Sequence, residues 1–122
     1  MKVPAFLLRR LYVKGSLRTT HDGFEFELNN HLGSGYAKRM SPLILDGESL
    51  DISSTSFSID DKETLFSNVS DHIPFTLAMN KTTTIKFAGP PLGPGQHTIG
   101  LRFDVTGIGE LGFEFTDIIT YE

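Results

Sequence analysis

The chain has 122 residues, no cysteine and no tryptophan, and its 11 Lys and Arg residues against 15 Asp and Glu residues give a net charge of -4. The absence of cysteine excludes disulfides, thiolate metal sites and a cysteine nucleophile. The net negative charge gives no reason to expect a nucleic acid or an anionic membrane surface as a partner. The length fits one domain, so we expect a single domain over residues 1–122.

The N-terminal residues 1–10 contain a short apolar run that ends at two arginines. Such a run is too short for a secretion signal or a membrane span, so we expect a cytoplasmic protein. Residues 5–14 fit two structures. Apolar side chains at alternate positions and β-prone residue types favour a strand, and a turn or two of helix after Pro4 is the alternative.

Alternation of apolar and polar residues predicts most of the remaining elements. Strands are expected at residues 24–29, 55–59, 75–77, 81–88, 97–106 and 111–115. Residues 36–45 contain Pro42, which favours an edge strand or two short strands because proline cannot donate to a ladder. Asp46-Gly47 predicts a tight hairpin turn between residues 43–45 and a returning strand. A short helix is expected at residues 61–70, with Asp61 as its N-cap.

The clearest strand covers residues 97–106, where His97, Ile99, Leu101, Phe103 and Val105 share one face. It is followed by a turn at residues 107–110 and by a strand with three apolar residues on one face. Strands at spacings of roughly 8–12 residues with turn residues between them are typical of a β-sandwich. The fold class is therefore an all-β, antiparallel β-sandwich of about eight strands, either jelly-roll or immunoglobulin-like.

The sequence holds one match to a nucleotide-binding motif and four histidines. Residues 107–112 read Gly-Ile-Gly-Glu-Leu-Gly, but a dinucleotide loop needs a helix after it, and the following residues alternate as a strand. We interpret this stretch as a hairpin turn. The histidines show no metal-ligand spacing, so no metal or cofactor is predicted. His97 begins the best strand and is a candidate binding residue, although a structural role is the alternative.

Two further groups of charged residues are candidates for function. Glu25 and Glu27 share a strand face that Glu114 could join across a sheet, which would suit acid-base chemistry on a sugar, or the row could be the solvated face of a sheet. Lys38 and Arg39, next to Tyr36, form a basic and aromatic cluster that could bind an anion or the acidic surface of a partner. Protection of an edge strand by lysine is the alternative interpretation.

Several turn motifs together resemble a known family. They are Gly23-Phe24 at the start of a strand, Leu45-Asp46-Gly47 at a hairpin, Phe57-Ser58-Ile59-Asp60 after it, and residues 92–97 (Leu-Gly-Pro-Gly-Gln-His) before the long late strand. Over roughly residues 14–118 the chain resembles the small β-subunit family of C-glycoside deglycosidases. The resemblance implies a β-sandwich that supports a larger, TIM-barrel-like subunit. In that family the larger subunit carries the metal and the catalytic residues for carbon-carbon bond cleavage at a 3-oxo sugar.

Three hypotheses for function follow. The first is a non-catalytic accessory β-sandwich that works with a larger enzyme subunit or as a homo-oligomer, with no catalytic residue of its own. The second is a stand-alone module that binds a carbohydrate or small ligand through a concave sheet face or through the loops at residues 30–41 and 106–110, with Tyr36 and Tyr12 as stacking candidates. The third is a small enzyme that uses His97 with Glu25 or Glu114.

Overall fold

The computed structural model describes residues 3–120. Within that range the chain forms a short helix and eleven β-strands. In chain order the elements are α1 (Ala5–Leu8), β1 (Arg18–Thr20), β2 (Gly23–Asn29), β3 (Gly35–Met40), β4 (Ile44–Leu45), β5 (Glu48–Ser49), β6 (Thr55–Ile59), β7 (Lys62–Leu65), β8 (Phe75–Leu77), β9 (Thr82–Ala88), β10 (Gly95–Val105) and β11 (Gly109–Ile119). The described range also contains three 3-10 turns, at Arg9–Leu11, Ile52–Ser54 and Phe66–Asn68.

The strands form two sheets, in which every paired strand is antiparallel to its neighbour. One sheet has the order β1-β2-β9-β6-β7. In the other, β10 is central: β11 pairs along one of its sides, and β4 and β3 pair along the other, with β5 and β8 outside them. The predicted antiparallel β-sandwich is confirmed. The described part of the chain has eleven strands rather than about eight, partly because short edge strands such as β1 and β7 carry too few residues to show a period.

Aromatic side chains from the two sheets meet in the core between them. The Phe26 ring of β2 lies 5.0 Å from the Phe115 ring of β11, and the Phe57 ring of β6 lies 4.8 Å from the Phe75 ring of β8. The predicted alternation in β10 is confirmed, since Ile99, Leu101 and Phe103 are buried. Apolar side chains on both sheets therefore bury one another, and this burial holds the layers together.

The N-terminal segment is helical rather than extended, so the strand expected within residues 5–14 is wrong over its first part. Pro4 caps α1 in an extended conformation, and Leu8 and Leu11, three residues apart, are the buried side chains. A spacing of three fits a helical face and not the pleat of a strand. Arg9 Nε donates to the Glu114 carbonyl oxygen (2.8 Å), so this segment covers part of the outer edge of β11.

The short helix expected over residues 61–70 is also wrong. Strand β7 and a 3-10 turn occupy that range instead, and β7 pairs with β6 across a two-residue turn at Asp60-Asp61. Both aspartates have positive φ, 51° and 66°, which is the conformation of the tight hairpin turns that match strand twist. Asp61 is therefore a turn residue and not a helix cap. The hairpin predicted at Asp46-Gly47 is confirmed, with φ values of 49° and 89°.

Among residues 3–120, none of the helices combines the length and the apolar character needed to cross a membrane.

Candidate functional site

An apolar pocket of about 340 Å³ opens at one end of the sandwich, and we call it the end pocket. Its walls come from α1 and the 3-10 turn after it, the loop between β2 and β3, the first half of β3, the end of β8, and the β10-β11 turn with the strand ends beside it. Buried core side chains such as Leu8, Phe103 and Leu111 contribute to its lining. The pocket therefore continues the hydrophobic core outward to the surface.

Asn30 shapes one wall of this pocket. Its side-chain amide donates to the carbonyl oxygens of Gly33 (2.7 Å) and Leu77 (2.8 Å). Its Oδ1 accepts from the backbone N–H groups of Leu32 (3.0 Å) and Gly33 (3.2 Å). One buried side chain thus fixes the turn after β2 and ties it to β8, so the wall is held by polar bonds while it presents apolar atoms to the pocket.

Three exposed apolar side chains stand around the pocket: Leu32 (41% exposed), Tyr36 (59%) and Ile108 (45%). No charged residue is found among the described residues that line it. Residues from both loops that the sequence suggested for ligand binding, 30–41 and 106–110, contribute to this lining. Exposed apolar groups around a concave apolar space are typical of a site that binds an apolar group.

Tyr12, the second tyrosine suggested for stacking on a sugar, is not available for that role. Its ring stacks on Phe115 with the ring centres 3.6 Å apart, and its hydroxyl donates to Asp117 Oδ2 (2.6 Å). Burial, together with that hydrogen bond to a carboxylate, raises the pKa of Tyr12 to about 12. Asp117 is fixed as well, because Gly15 N–H donates to the same oxygen (2.8 Å). Tyr12 therefore connects the N-terminal segment to β11.

Tyr36, Lys38 and Arg39 lie together on β3 and are all exposed. The pairing of β3 with β10 shifts register between Asp104 and Val105, whose partners are Arg39 and Ala37. Lys38 is the extra residue of this irregularity, which explains why two consecutive basic side chains both reach solvent. Arg39 donates to Asp104 Oδ2 (3.1 Å), whereas Lys38 has no ion-pair partner among the described residues. We call these three residues the β3 face.

His97 lies away from the β3 face, eight residues back along β10 from the partner of Ala37, or about 27 Å at the rise of a strand. Its Nδ1 lies 2.8 Å from Asp46 Oδ2 and its Nε2 lies 2.8 Å from the Gly93 carbonyl oxygen. Both partners are acceptors, so the arrangement suits an imidazolium that donates twice. The hydrogen bond to Asp46, followed by that to Gly93, raises the pKa of His97. His97 connects the residue 46–47 hairpin to the loop before β10.

The carboxylates considered for acid-base chemistry either lie in different sheets or form ion pairs with an arginine. Glu25 and Glu27 share a face of β2, and Arg18 forms ion pairs with both. This is the solvated face of a sheet. Glu114 does not join them, because it lies on β11 in the other sheet. Neither Glu25 nor Glu114 is a hydrogen-bond partner of His97. The acid and base that a small enzyme would use at these positions therefore do not lie together.

The glycine motif at residues 107–112 connects β10 to β11 as a hairpin, as predicted. Gly107 and Gly109 have φ values of 84° and 107°, which the turn requires and which a side chain would resist. The motif leads into strand β11 and not into a helix, so its backbone amides lack the helix N-terminus that a dinucleotide phosphate site needs. Within residues 3–120, no three His, Asp or Glu side chains are grouped closely enough to hold a metal ion.

Comparison with family models matches residues 7–120 to the family described as hydroxymethylglutaryl-CoA reductase, N-terminal domain. The chain belongs to this family. The matched range contains all eleven strands and most of the end-pocket lining, so both are parts of this N-terminal domain fold. A search of curated proteins found no match.

The family match corrects the resemblance suggested by sequence motifs. The chain is a member of the hydroxymethylglutaryl-CoA reductase N-terminal domain family, and its assignment to the small subunits of C-glycoside deglycosidases is wrong. The structure explains the error, since the motifs that carried the resemblance include hairpin turns such as Asp46-Gly47 and the ends of strands. Turns of this kind are dictated by local backbone geometry, and unrelated β-sandwiches share them.

Proposed function

We propose that the chain is a non-catalytic accessory β-sandwich domain, single over residues 1–122, that works within a larger protein or assembly in the cytoplasm. The observation that carries the proposal is the family match, because that family is described as the N-terminal domain of an enzyme and the match spans residues 7–120. A domain that is one part of an enzyme is expected to share an interface with the rest of that enzyme.

The contacts of the histidine and glutamate side chains that could act as acids or bases favour a non-catalytic role. His97 uses both ring nitrogens in holding a hairpin and a loop, and Glu25 and Glu27 form ion pairs with Arg18. General acid-base catalysis requires groups free to exchange a proton with a substrate within hydrogen-bond reach. These side chains instead form hydrogen bonds and ion pairs within the fold.

We propose the β3 face as the contact surface, with an acidic partner surface as its occupant. Charge complementarity is the argument: the chain as a whole carries -4, yet Tyr36, Lys38 and Arg39 present two positive side chains beside an exposed aromatic ring. Tyrosine and arginine are enriched at protein interfaces, and a local basic group on an acidic protein orients an acidic partner.

Affinity isolation of the tagged chain from its native cell, in wild-type and variant forms, tests this proposal. A double variant Lys38→Glu, Arg39→Glu reverses the charge of the β3 face and is expected to reduce recovery of the stoichiometric partner at least fivefold. The matched control is Lys62→Glu, Lys81→Glu, which makes the same charge change at exposed lysines elsewhere. Equal recovery with both double variants would reject the β3 face, and isolation of the bare wild-type chain would reject the accessory role.

A stand-alone homo-oligomeric module that binds a small ligand is the second candidate, and the end pocket favours it. A carbohydrate fits this pocket poorly, because its hydroxyl groups would lose water against an apolar lining. If only copies of the chain were recovered together, this candidate would replace the first.

A further inference from the structure

We propose that the end pocket binds a neutral, apolar small molecule of about fifteen non-hydrogen atoms, a size that follows from filling its space at ordinary packing density. This inference names a ligand class for the pocket and stands independently of the accessory role.

The first argument is the shape and lining of the space. A volume of about 340 Å³ falls within the range of pockets that hold small ligands. Leu7 and Leu77 line it together with buried core side chains, so a ligand there would contact apolar atoms on several sides. Binding would remove apolar surface of both the ligand and the pocket from water, and this burial would drive the association.

The second argument excludes a charged ligand. No described lining residue carries a charge, so an anionic or cationic group in the pocket would lose its hydration without an ion-pair partner. The buried amide of Asn30 is fully occupied by backbone groups and offers no unused donor or acceptor.

The third argument favours a small molecule over a peptide strand. A peptide that adds to a sheet needs unpaired backbone groups at the site. Here Gly35 pairs with Leu77, the Leu32 and Gly33 amides donate to Asn30, and Ser34 Oγ accepts from Met79 N–H (3.3 Å). The wall therefore presents apolar side chains rather than a free strand edge.

The test uses the full chain and two fluorescent probes that differ by one charge. N-phenyl-1-naphthylamine is neutral and apolar, and 8-anilinonaphthalene-1-sulfonate is the same ring system with a sulfonate. We expect saturable one-to-one binding of the neutral probe, at least tenfold tighter than that of the sulfonate. Amide chemical-shift changes on titration should centre on Gly33, Gly35 and Ile108, which locates the probe.

Three variants separate the end pocket from other apolar surface. Val105→Phe reduces the space and should weaken the neutral probe about tenfold, and Ile108→Gln makes the rim polar and should weaken it about fivefold. Ile118→Gln alters an isoleucine outside the pocket that is even more exposed than Ile108 (60% against 45%), and it should leave binding unchanged. Circular dichroism checks that each variant folds. If Val105→Phe does not fold, Ile108→Gln still tests the pocket, because Ile108 is exposed and its replacement should not disturb the core.

No saturable binding, equal affinity for the two probes, or equal effects of Ile108→Gln and Ile118→Gln would each overturn the proposal. These results are distinguishable from failure of the accessory role, since the probe titration needs no partner and the isolation experiment needs no ligand.

Discussion

Asn30 shows how one buried polar side chain can determine the shape of an apolar site. It is 1% exposed and makes four hydrogen bonds to backbone groups in the loop after β2 and in β8. Its neighbour Asn29 is the opposite case. Among residues 3–120 its Oδ1 is buried without a hydrogen-bond partner, and its amide makes a long contact (3.4 Å) to Thr82. Two adjacent asparagines should therefore differ widely in their contribution to stability.

Replacing Asn30 with alanine is expected to lower the free energy of unfolding by about 2 kcal/mol, because it leaves backbone donors and acceptors of the loop unpaired. Asn29→Ala is the matched control and should change the free energy by less than about 1 kcal/mol, since it removes an oxygen that accepts no hydrogen bond from the described residues. Urea unfolding measures both. Equal losses in the two variants would contradict the role assigned to Asn30.

His97 predicts a pH dependence of stability whose sign follows from its bonds. Its pKa is raised above the ordinary 6.5, so the folded state binds the proton more tightly than the unfolded chain. The stabilisation is fully present below pH 6.5 and is lost as the pH rises through the raised pKa. Backbone hydrogen bonding to Thr98, followed by the bond to His97, lowers the pKa of Asp46, so its contribution is present above 3.8 and is lost as the pH falls through the lowered value.

We therefore expect His97→Gln to lower the free energy of unfolding by about 1 kcal/mol near pH 6. The effect is limited because the Asp46 side chain is largely exposed. At higher pH the difference in unfolding free energy between the variant and wild type should shrink. Unfolding curves measured between pH 5 and pH 9 test this. His21→Gln, at an exposed histidine, is the control. A difference between His97→Gln and wild type that grows with rising pH would show that the sign is wrong.

At the level of elements, close approach of two strands makes one glycine indispensable. Gly23 begins β2 opposite Ala88, and a Cβ at Gly23 would lie 2.0 Å from the Phe87 carbonyl oxygen. Gly35 begins β3 in the same way, but a Cβ there would meet nothing within 4 Å. The two glycines look alike in the sequence, and only the packing of β9 against β2 distinguishes them.

Gly23→Ala should therefore lower the free energy of unfolding by more than about 3 kcal/mol, because either β2 or β9 has to move. Gly35→Ala should change it by less than about 1 kcal/mol. Thermal or urea unfolding of the two variants gives the comparison. A Gly23→Ala protein as stable as Gly35→Ala would mean that β2 and β9 are not in the register described.

The sequence was sufficient to predict elements that bury several alternate residues on one face, such as Ile99, Leu101 and Phe103 of β10. The alternation in β10 and β11 and the hairpin at Asp46-Gly47 follow from side-chain period and turn chemistry, both of which are local. Residues 5–11 were predicted wrongly because their apolar residues fit two periods, and tertiary burial of Leu8 and Leu11 decided between them. Residues 61–70 were predicted wrongly because β7 is too short to show a period, and its pairing with β6 made it a strand.

At the scale of the whole molecule, the end pocket lay beyond sequence reasoning. The loops at residues 30–41 and 106–110 could be suggested, but other parts of the lining come from the N-terminal segment, β8, β10 and β11, which are far apart in the sequence. Asn30 gave a weak signal, since an asparagine three residues before a glycine is common in turns. Which segments meet at one end of a sandwich depends on strand order, and no local pattern encodes that order.

The central claim is that this domain works as an accessory part of something larger. The most direct test is to determine the mass and composition of the native species that contains the chain, by size exclusion with light scattering and mass spectrometry of a cell extract. We predict a stoichiometric species much heavier than the chain and containing other polypeptide sequence. A native species with no other polypeptide sequence in it, whether a single chain or several copies of the chain, would contradict the account.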